Sequence, residues 1–392
     1  MVEALIENIK NTVASNKLLS FIVDKLDKIK SEKLMIRMIN IITVVSSDNI
    51  NYSDLHQLVF NGLPDDIPSL RSLIWRILLN NLSLNFNEWE ENLTSSRKKY
   101  EEYSKRFIDT KFSFTQKQDH PLAMVEKSQW KKFFNDIDLY EEITKDIRRT
   151  RTHMSFFFMP YVSNREITGE QITKAADITK NEHTSHRVKK DFESNADVMI
   201  RILFIYGKLH PEVRYVQGMN ELLAPIFFCF SLDTNPFCLP YLEADAFTCF
   251  ENLMSVVKDV FIRGLDKTET GIESRMHRLS QLLKFIDYDV YNKLQKENIE
   301  MQFFAFRWFT LFFTQDFEMP DILRLWDSLL SEDDIFDFMN MIILAILRMK
   351  RVDILESEFS GVMMQLQDLE GVEVEKLIRG GVKVREDLNK KI

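Results

Sequence analysis

Helix breakers are scarce in this chain. Ten glycines and nine prolines in 392 residues are too few for the many tight turns of a barrel or sandwich. Cysteine is rarer still: Cys229, Cys238 and Cys249 lie in or near apolar segments, without the spacing of metal ligands. That excludes a disulfide framework and a thiolate zinc site, and reads as reduced core residues of a cytosolic protein. Positive charge is also short, with a formal net charge of −9, so a nucleic-acid partner is not expected. The N-terminus has Glu3 and Glu7 where a signal peptide needs an apolar core, which argues against secretion or import. The longest apolar runs, around Leu222–Leu232 and Met341–Leu347, are interrupted or too short to span a bilayer. GxxxxGK[ST], GxGxxG, HExxH and GxSxG are all missing, so the chain is not itself a P-loop nucleotidase. Only His183 and His186 stand close enough to share a ligand, without further Cys or His support. No metal and no cofactor of its own is expected.

What the chain does have is apolar surface in helical period. Hydrophobic residues make up 45% of it, including 31 Phe. In residues 1–50, a helical N-terminal extension, Leu18, Leu19, Ile22, Val23, Leu26 and Ile29 form one stripe. The segment 46–54 is a linker-like break. Gly62, Pro64 and Pro68 then bend the chain into a helix carrying Leu70, Leu73, Ile74, Ile77 and Leu78. On that helix Arg71 and Arg76 flank Trp75, as stacked or paired structural arginines. A polar helix runs from Trp89 to about Phe107. After Trp130, Leu139, Tyr140, Ile143 and Ile147 share one helix face, with Asp146 at its edge and Arg149 toward solvent. Asp146 and Arg149 are three apart, so the carboxylate can orient the guanidinium. Residues 160–195 lack sustained periodicity and read as a surface insertion. Helical periodicity resumes at Ala196 and continues to about residue 370, with 371–392 as a C-terminal tail. No strand-period alternation persists anywhere, so the fold class is all-α.

The chain is organised around IYGKLHPEVRYVQGMNELLAPIFF (205–228). A helix ends near Leu209, because His210-Pro211 forbids simple continuation. A polar turn leads through Tyr215-Val216-Gln217-Gly218 to a second helix from about Met219. Gln217 thus stands at a helix start, where free N–H groups and the helix dipole favour anions such as phosphate. Two readings stand at this point. Gln217 caps the helix, or its amide is presented to something outside the protein.

Three blocks follow one another in order: ITKDIRRT (143–150), YVQGMN (215–220) and ILRLWDSL (322–329). They resemble the IxxDxxR, YxQ and WDxL-type signatures of the TBC domain of Rab GTPase-activating proteins. The entry GLPDDIPSLRSLIWRILLN (62–80) looks like that family's N-terminal helix. EADAFTCFENLM (243–254) and residues 302–330 are similar to the short, nearly all-TBC subgroup called member 13. The resemblance covers residues 55–370, and the 160–195 insertion is this chain's own.

The resemblance implies a multi-helical TBC domain of two helical subdomains. It implies a GTP-bound Rab-family GTPase as partner and an activator, not a stand-alone hydrolase, regulating vesicle trafficking. Arg149 and Gln217 would be the catalytic residues supplied in trans, with Asp146 and Tyr215 supporting them. Asn220, Arg71 and Trp75 would touch the partner. Arg324, Trp326 and Asp327 would be structural. Mg²⁺ and GTP would belong to the GTPase, and the protein would be cytoplasmic, reaching endomembranes through it. Two alternatives remain open: a catalytically inactive Rab-binding scaffold, and a HEAT or armadillo adaptor, for which no period of ~40 residues is visible.

Overall fold

Six of the helices begin where a side chain satisfies free N–H groups of the first turn. The computed structural model describes residues 2–108, 129–161, 192–262, 268 and 270–391. The interior of the 160–195 insertion, with His183 and His186, lies outside the described residues. In chain order the helices are α1 (Val2–Val13), α2 (Lys17–Val23), α3 (Glu32–Val45), α4 (Tyr52–Phe60), α5 (Pro68–Leu78) and α6 (Trp89–Phe107). There follow α7 (Gln129–Ile147), α8 (Asn195–Leu209), α9 (Met219–Ser231), α10 (Leu242–Val257), α11 (Ile272–Ile286) and α12 (Tyr288–Lys296). The last six are α13 (Gln302–Leu311), α14 (Met319–Leu330), α15 (Ile335–Met349), α16 (Arg351–Glu356), α17 (Phe359–Gln367) and α18 (Val374–Lys391). Asn16, Ser31, Asn51, Asp287 and Asp334 cap α2, α3, α4, α12 and α15. Ser194 and Asp197 close a capping box on α8, and Pro68 starts α5 with its φ already helical. Among the described residues there is no strand, only an isolated bridge between Pro160 and Ser194. None of these helices is long and apolar enough to cross a membrane.

The chain divides into two units, 1–89 with 252–392, and 90–251. In the first, helices α1 to α5 pack with one another and with α14. The turn after α4 is held by arginines. Arg37 donates to the carbonyls of Asn61 and Gly62, Arg324 to Phe60, and Arg71 to Leu63. Gly62 is required there. Its φ is +85°, and a Cβ would meet Arg324 Nε at 2.5 Å. Asp327, fully buried on α14, accepts from Arg71, from Trp75 Nε1 at 2.8 Å and from Leu63 N at 2.8 Å. Trp326 stacks beside Trp75 with centroids 5.8 Å apart and donates to the carbonyl of Phe312. The WD block is therefore a clamp on the α5 entry. Residues 374–391 form α18, which lies on α15 with Gly380 close against Ala345.

The second unit is built on α7 against α8. Leu139, Ile143 and Ile147 are buried as the periodicity requires, whereas Tyr140 is 51% exposed and meets Phe204 in a T-shaped contact. Tyr140 thus belongs to the rim of the stripe, one step past its buried centre. The contact is close because Gly207 has no side chain: a Cβ there would come within 3.3 Å of both Leu139 methyls. Two charged bonds tie α10 to its neighbours, Arg97 of α6 to the buried Asp245 at 2.8 Å and Arg201 of α8 to Glu243 at 2.5 Å. The ends of the insertion meet as well, with Tyr161 N donating to Glu193 O at 2.8 Å.

Candidate functional site

Helix α7 ends at Ile147 and passes into a turn through Thr150. Arg149 lies in that turn with its side chain 71% exposed, while the side chain of Asp146 is 8% exposed. Arg149 Nη2 donates to Asp146 Oδ1 at 2.8 Å and its Nε to the carbonyl of Lys145 at 3.2 Å. A cation at a helix C-terminus is favoured by the unpaired carbonyls and the dipole. The guanidinium is thereby oriented without being buried, and its remaining N–H groups face outward. A carboxylate so placed preorganises a planar fork.

The second half comes from the turn between α8 and α9. Pro211 ends α8 at His210, and the chain turns through Arg214, whose φ of +59° lies in the left-handed region. Gly218 follows at φ +108° and occupies the N-cap position of α9 without a side chain to cap it. The turn is secured by its neighbours. Val216 N donates to Met219 Sδ, Met219 N to Val216 O, and Gly218 N to Asn220 Oδ1 at 3.1 Å. Gln217 is exposed, and the backbone is held without it. The helix-capping reading therefore fails for geometric reasons: Gln217 precedes the cap residue, and Asn220 takes the N–H of that residue.

The two halves join through buried polar groups. Tyr215, 4% exposed, donates its hydroxyl to Asp146 Oδ2 at 2.9 Å. Burial first, and the Asp146 carboxylate second, push the phenol well above its ordinary range. Asn220, 5% exposed, donates through Nδ2 to Thr150 Oγ1 at 2.8 Å. Arg149 and Gln217 open into one cleft of about 350 Å³, lined also by Asp138, Glu141, Glu142, Lys145 and Asp146. The cleft presents an oriented guanidinium and an exposed amide together, among charged neighbours that are mostly acidic.

Arg149, Gln217, Asp146, Tyr215 and Asn220 are thus assembled in one place. Arg71 and Trp75 are not among them. They belong to the other unit, 4% and 0% exposed, with their polar groups on Asp327. Side chains so covered have no surface with which to touch a partner, which corrects that expectation. Asn220 is likewise turned inward and holds the turn from behind. The sequence reading missed Asp138, Glu141, Glu142 and Lys145, although their spacing of three and four before Arg149 places them on one helix face. It also missed Thr150, which nothing local distinguishes.

Comparison with known proteins gives concordant matches. The family described as the Rab-GTPase-TBC domain matches residues 124–355. The human protein named TBC1 domain family member 13 is 33% identical over 372 residues, covering 83% of this chain and 92% of its own length. The Saccharomyces cerevisiae GTPase-activating protein GYP1 is 28% identical over 301 residues, covering 72% of this chain and 38% of its own length. In three dimensions the chain is similar to the crystal structure of the Ypt/Rab-GAP domain of Gyp1p, with a TM-score of 0.68 at 24% identity, over 92% of this chain and 99% of that one.

Proposed function

This chain belongs to the Rab-GTPase-TBC domain family, and from that premise we propose that it activates GTP hydrolysis by a GTP-bound Rab-family GTPase. The observation that carries the reading is the shared cleft, where Arg149, oriented by a buried carboxylate, and the unencumbered Gln217 come from different elements. The partner class comes from the relatives, a GTPase-activating protein and a Ypt/Rab-GAP domain.

A small GTPase alone is slow because its attacking water is loosely held and the charge growing on the phosphates is incompletely countered. Arg149 enters the nucleotide site of the partner and sets guanidinium N–H groups on the phosphate oxygens, stabilising charge in the transition state. Gln217 accepts from the attacking water through its carbonyl and donates through its amide, a dual role that Glu or Lys cannot fill. Asp146 and Tyr215 hold Arg149 in its approach. GTP and Mg²⁺ arrive with the GTPase, and this chain meets membranes through it, in regulating vesicle traffic.

A panel of purified, GTP-loaded Rab-family GTPases, each measured for phosphate release with and without this chain, tests the reading. Acceleration of at least one is expected. Tight binding without any acceleration would instead identify an inactive scaffold.

A further inference from the structure

We propose that Asn220 and Thr150 form a positioning pair that fixes the place of Gln217 relative to Arg149, an inference that rests on the GTPase-activating reading. The amide of Asn220 is used on two sides. Its Oδ1 takes Gly218 N at 3.1 Å, so it holds the residue that directly follows Gln217. Its Nδ2 reaches Thr150, 1% exposed and adjacent to Arg149 in sequence, at 2.8 Å. Thr150 is suited to receive it. Its hydroxyl proton goes to the carbonyl of Asp146 at 3.0 Å, which leaves lone pairs for Asn220.

The division of labour follows from what each bond grips. Tyr215 holds the carboxylate that aims the Arg149 side chain. Asn220 joins the backbone turn bearing Arg149 to the backbone turn bearing Gln217 across 70 positions of sequence. Gly218, at φ +108°, has little intrinsic preference for that conformation, so the turn needs an external tie. Asp at position 220 would keep the shape but could not donate to Thr150. It would also set a second carboxylate beside the Tyr215 hydroxyl that serves Asp146.

The test uses the full chain with a GTP-loaded Rab-family GTPase that the wild type accelerates. Thr150→Val should lower kcat on the order of 10²-fold, the scale of a ~1 Å misplacement, with KM within a few-fold. Thr150→Ser, which retains the hydroxyl, should restore it. In a Gln217→Ala background, Thr150→Val should cost nothing further, because the group it positions is already gone. Unchanged kcat in Thr150→Val, a loss that Ser does not rescue, or full additivity with Gln217→Ala would each overturn the proposal. Should Thr150→Val not fold, Asn220→Asp decides by the same kcat and additivity criteria. If neither folds, the pair is a stability element and the proposal is wrong. A wild type that accelerates no GTPase, or a silent Gln217→Ala, fails the underlying reading instead. Normal behaviour of both with silent Thr150 and Asn220 variants fails this inference alone.

Discussion

The hydroxyl of Tyr215 donates to Asp146 Oδ2 at 2.9 Å, while the other oxygen of that carboxylate holds Arg149 at 2.8 Å. A tyrosine on one loop thus acts on an exposed arginine on another through one buried charge. The same hydroxyl lies 3.1 Å from Asn220 Oδ1, but it has a single proton, and the charged acceptor takes it. Asp146→Asn should therefore lower stability by about 1–3 kcal/mol, because it weakens bonds to a buried group on both sides. It should also lower stimulated hydrolysis while the GTPase still binds. Melting temperature and phosphate release measured together check this. A loss of stability with full activity would make Asp146 purely structural.

Tyr215 predicts a pH dependence. Burial and Asp146 raise its folded pKa, whereas in the unfolded chain the phenol loses its proton near ~10. The stability contributed by the neutral phenol is complete below that value and is lost as pH rises above it. The gap in stability between wild type and Tyr215→Phe should narrow by about 1.4 kcal/mol per pH unit beyond ~10. Denaturant midpoints of both proteins from pH 8 to 11 give the answer, and parallel curves would contradict it.

Arg149→Lys keeps a positive charge but loses the planar fork. Stimulated hydrolysis should fall on the order of 10³-fold or more, the scale of arginine fingers in other activators. The melting temperature should hold, since the side chain is 71% exposed. Retained activity in both Arg149→Lys and Arg149→Ala would remove it from the chemistry.

Gly207 sets how closely α8 approaches α7. Ala at that position gains ~1 kcal/mol of helix propensity against a tight 3.3 Å contact with Leu139, so the net change should stay within about 1 kcal/mol. Leu should overpack the contact and cost about 1–3 kcal/mol, lowering both the melting temperature and activation. An active, fully stable Gly207→Leu would show that the helix spacing is not critical.

The helical stripes made the fold class legible, because periodicity is local. Leu139, Ile143, Ile147 and the exposed Arg149 all follow from one helical wheel. The Asp327 clamp on Arg71 and Trp75 spans 256 and 252 positions, and no local pattern announces such a pairing. An arginine beside a tryptophan looks the same in sequence whether buried or exposed. Helix α18 was hidden for another reason. Gly380 and Gly381 each cost ~1 kcal/mol of helix propensity, and only the close approach to Ala345, Ile342 and Phe338 explains their presence. At the site, the resemblance of the blocks ITKDIRRT and YVQGMN to a known family pointed to Arg149 and Gln217, which their residue types alone did not single out, whereas the Thr150–Asn220 contact depends on tertiary packing.

Gln217 gives the sharpest separation of stability from activity. Gly218 occupies the cap position and Asn220 takes its N–H, so the backbone turn stands without the Gln217 side chain. Gln217→Asn and Gln217→Ser should each shift stability by no more than about 0.5 kcal/mol, as exposed substitutions do. Both withdraw the amide from the water it is proposed to orient, so activation should collapse. The decisive partner is a GTPase whose own water-positioning glutamine is replaced by leucine. Because this chain would supply the missing amide, the wild type should still accelerate that GTPase appreciably, and the Gln217 variants should not. If wild type binds the altered GTPase without accelerating it, the GTPase normally provides its own glutamine. Gln217 would then be a surface residue beside an arginine-only site.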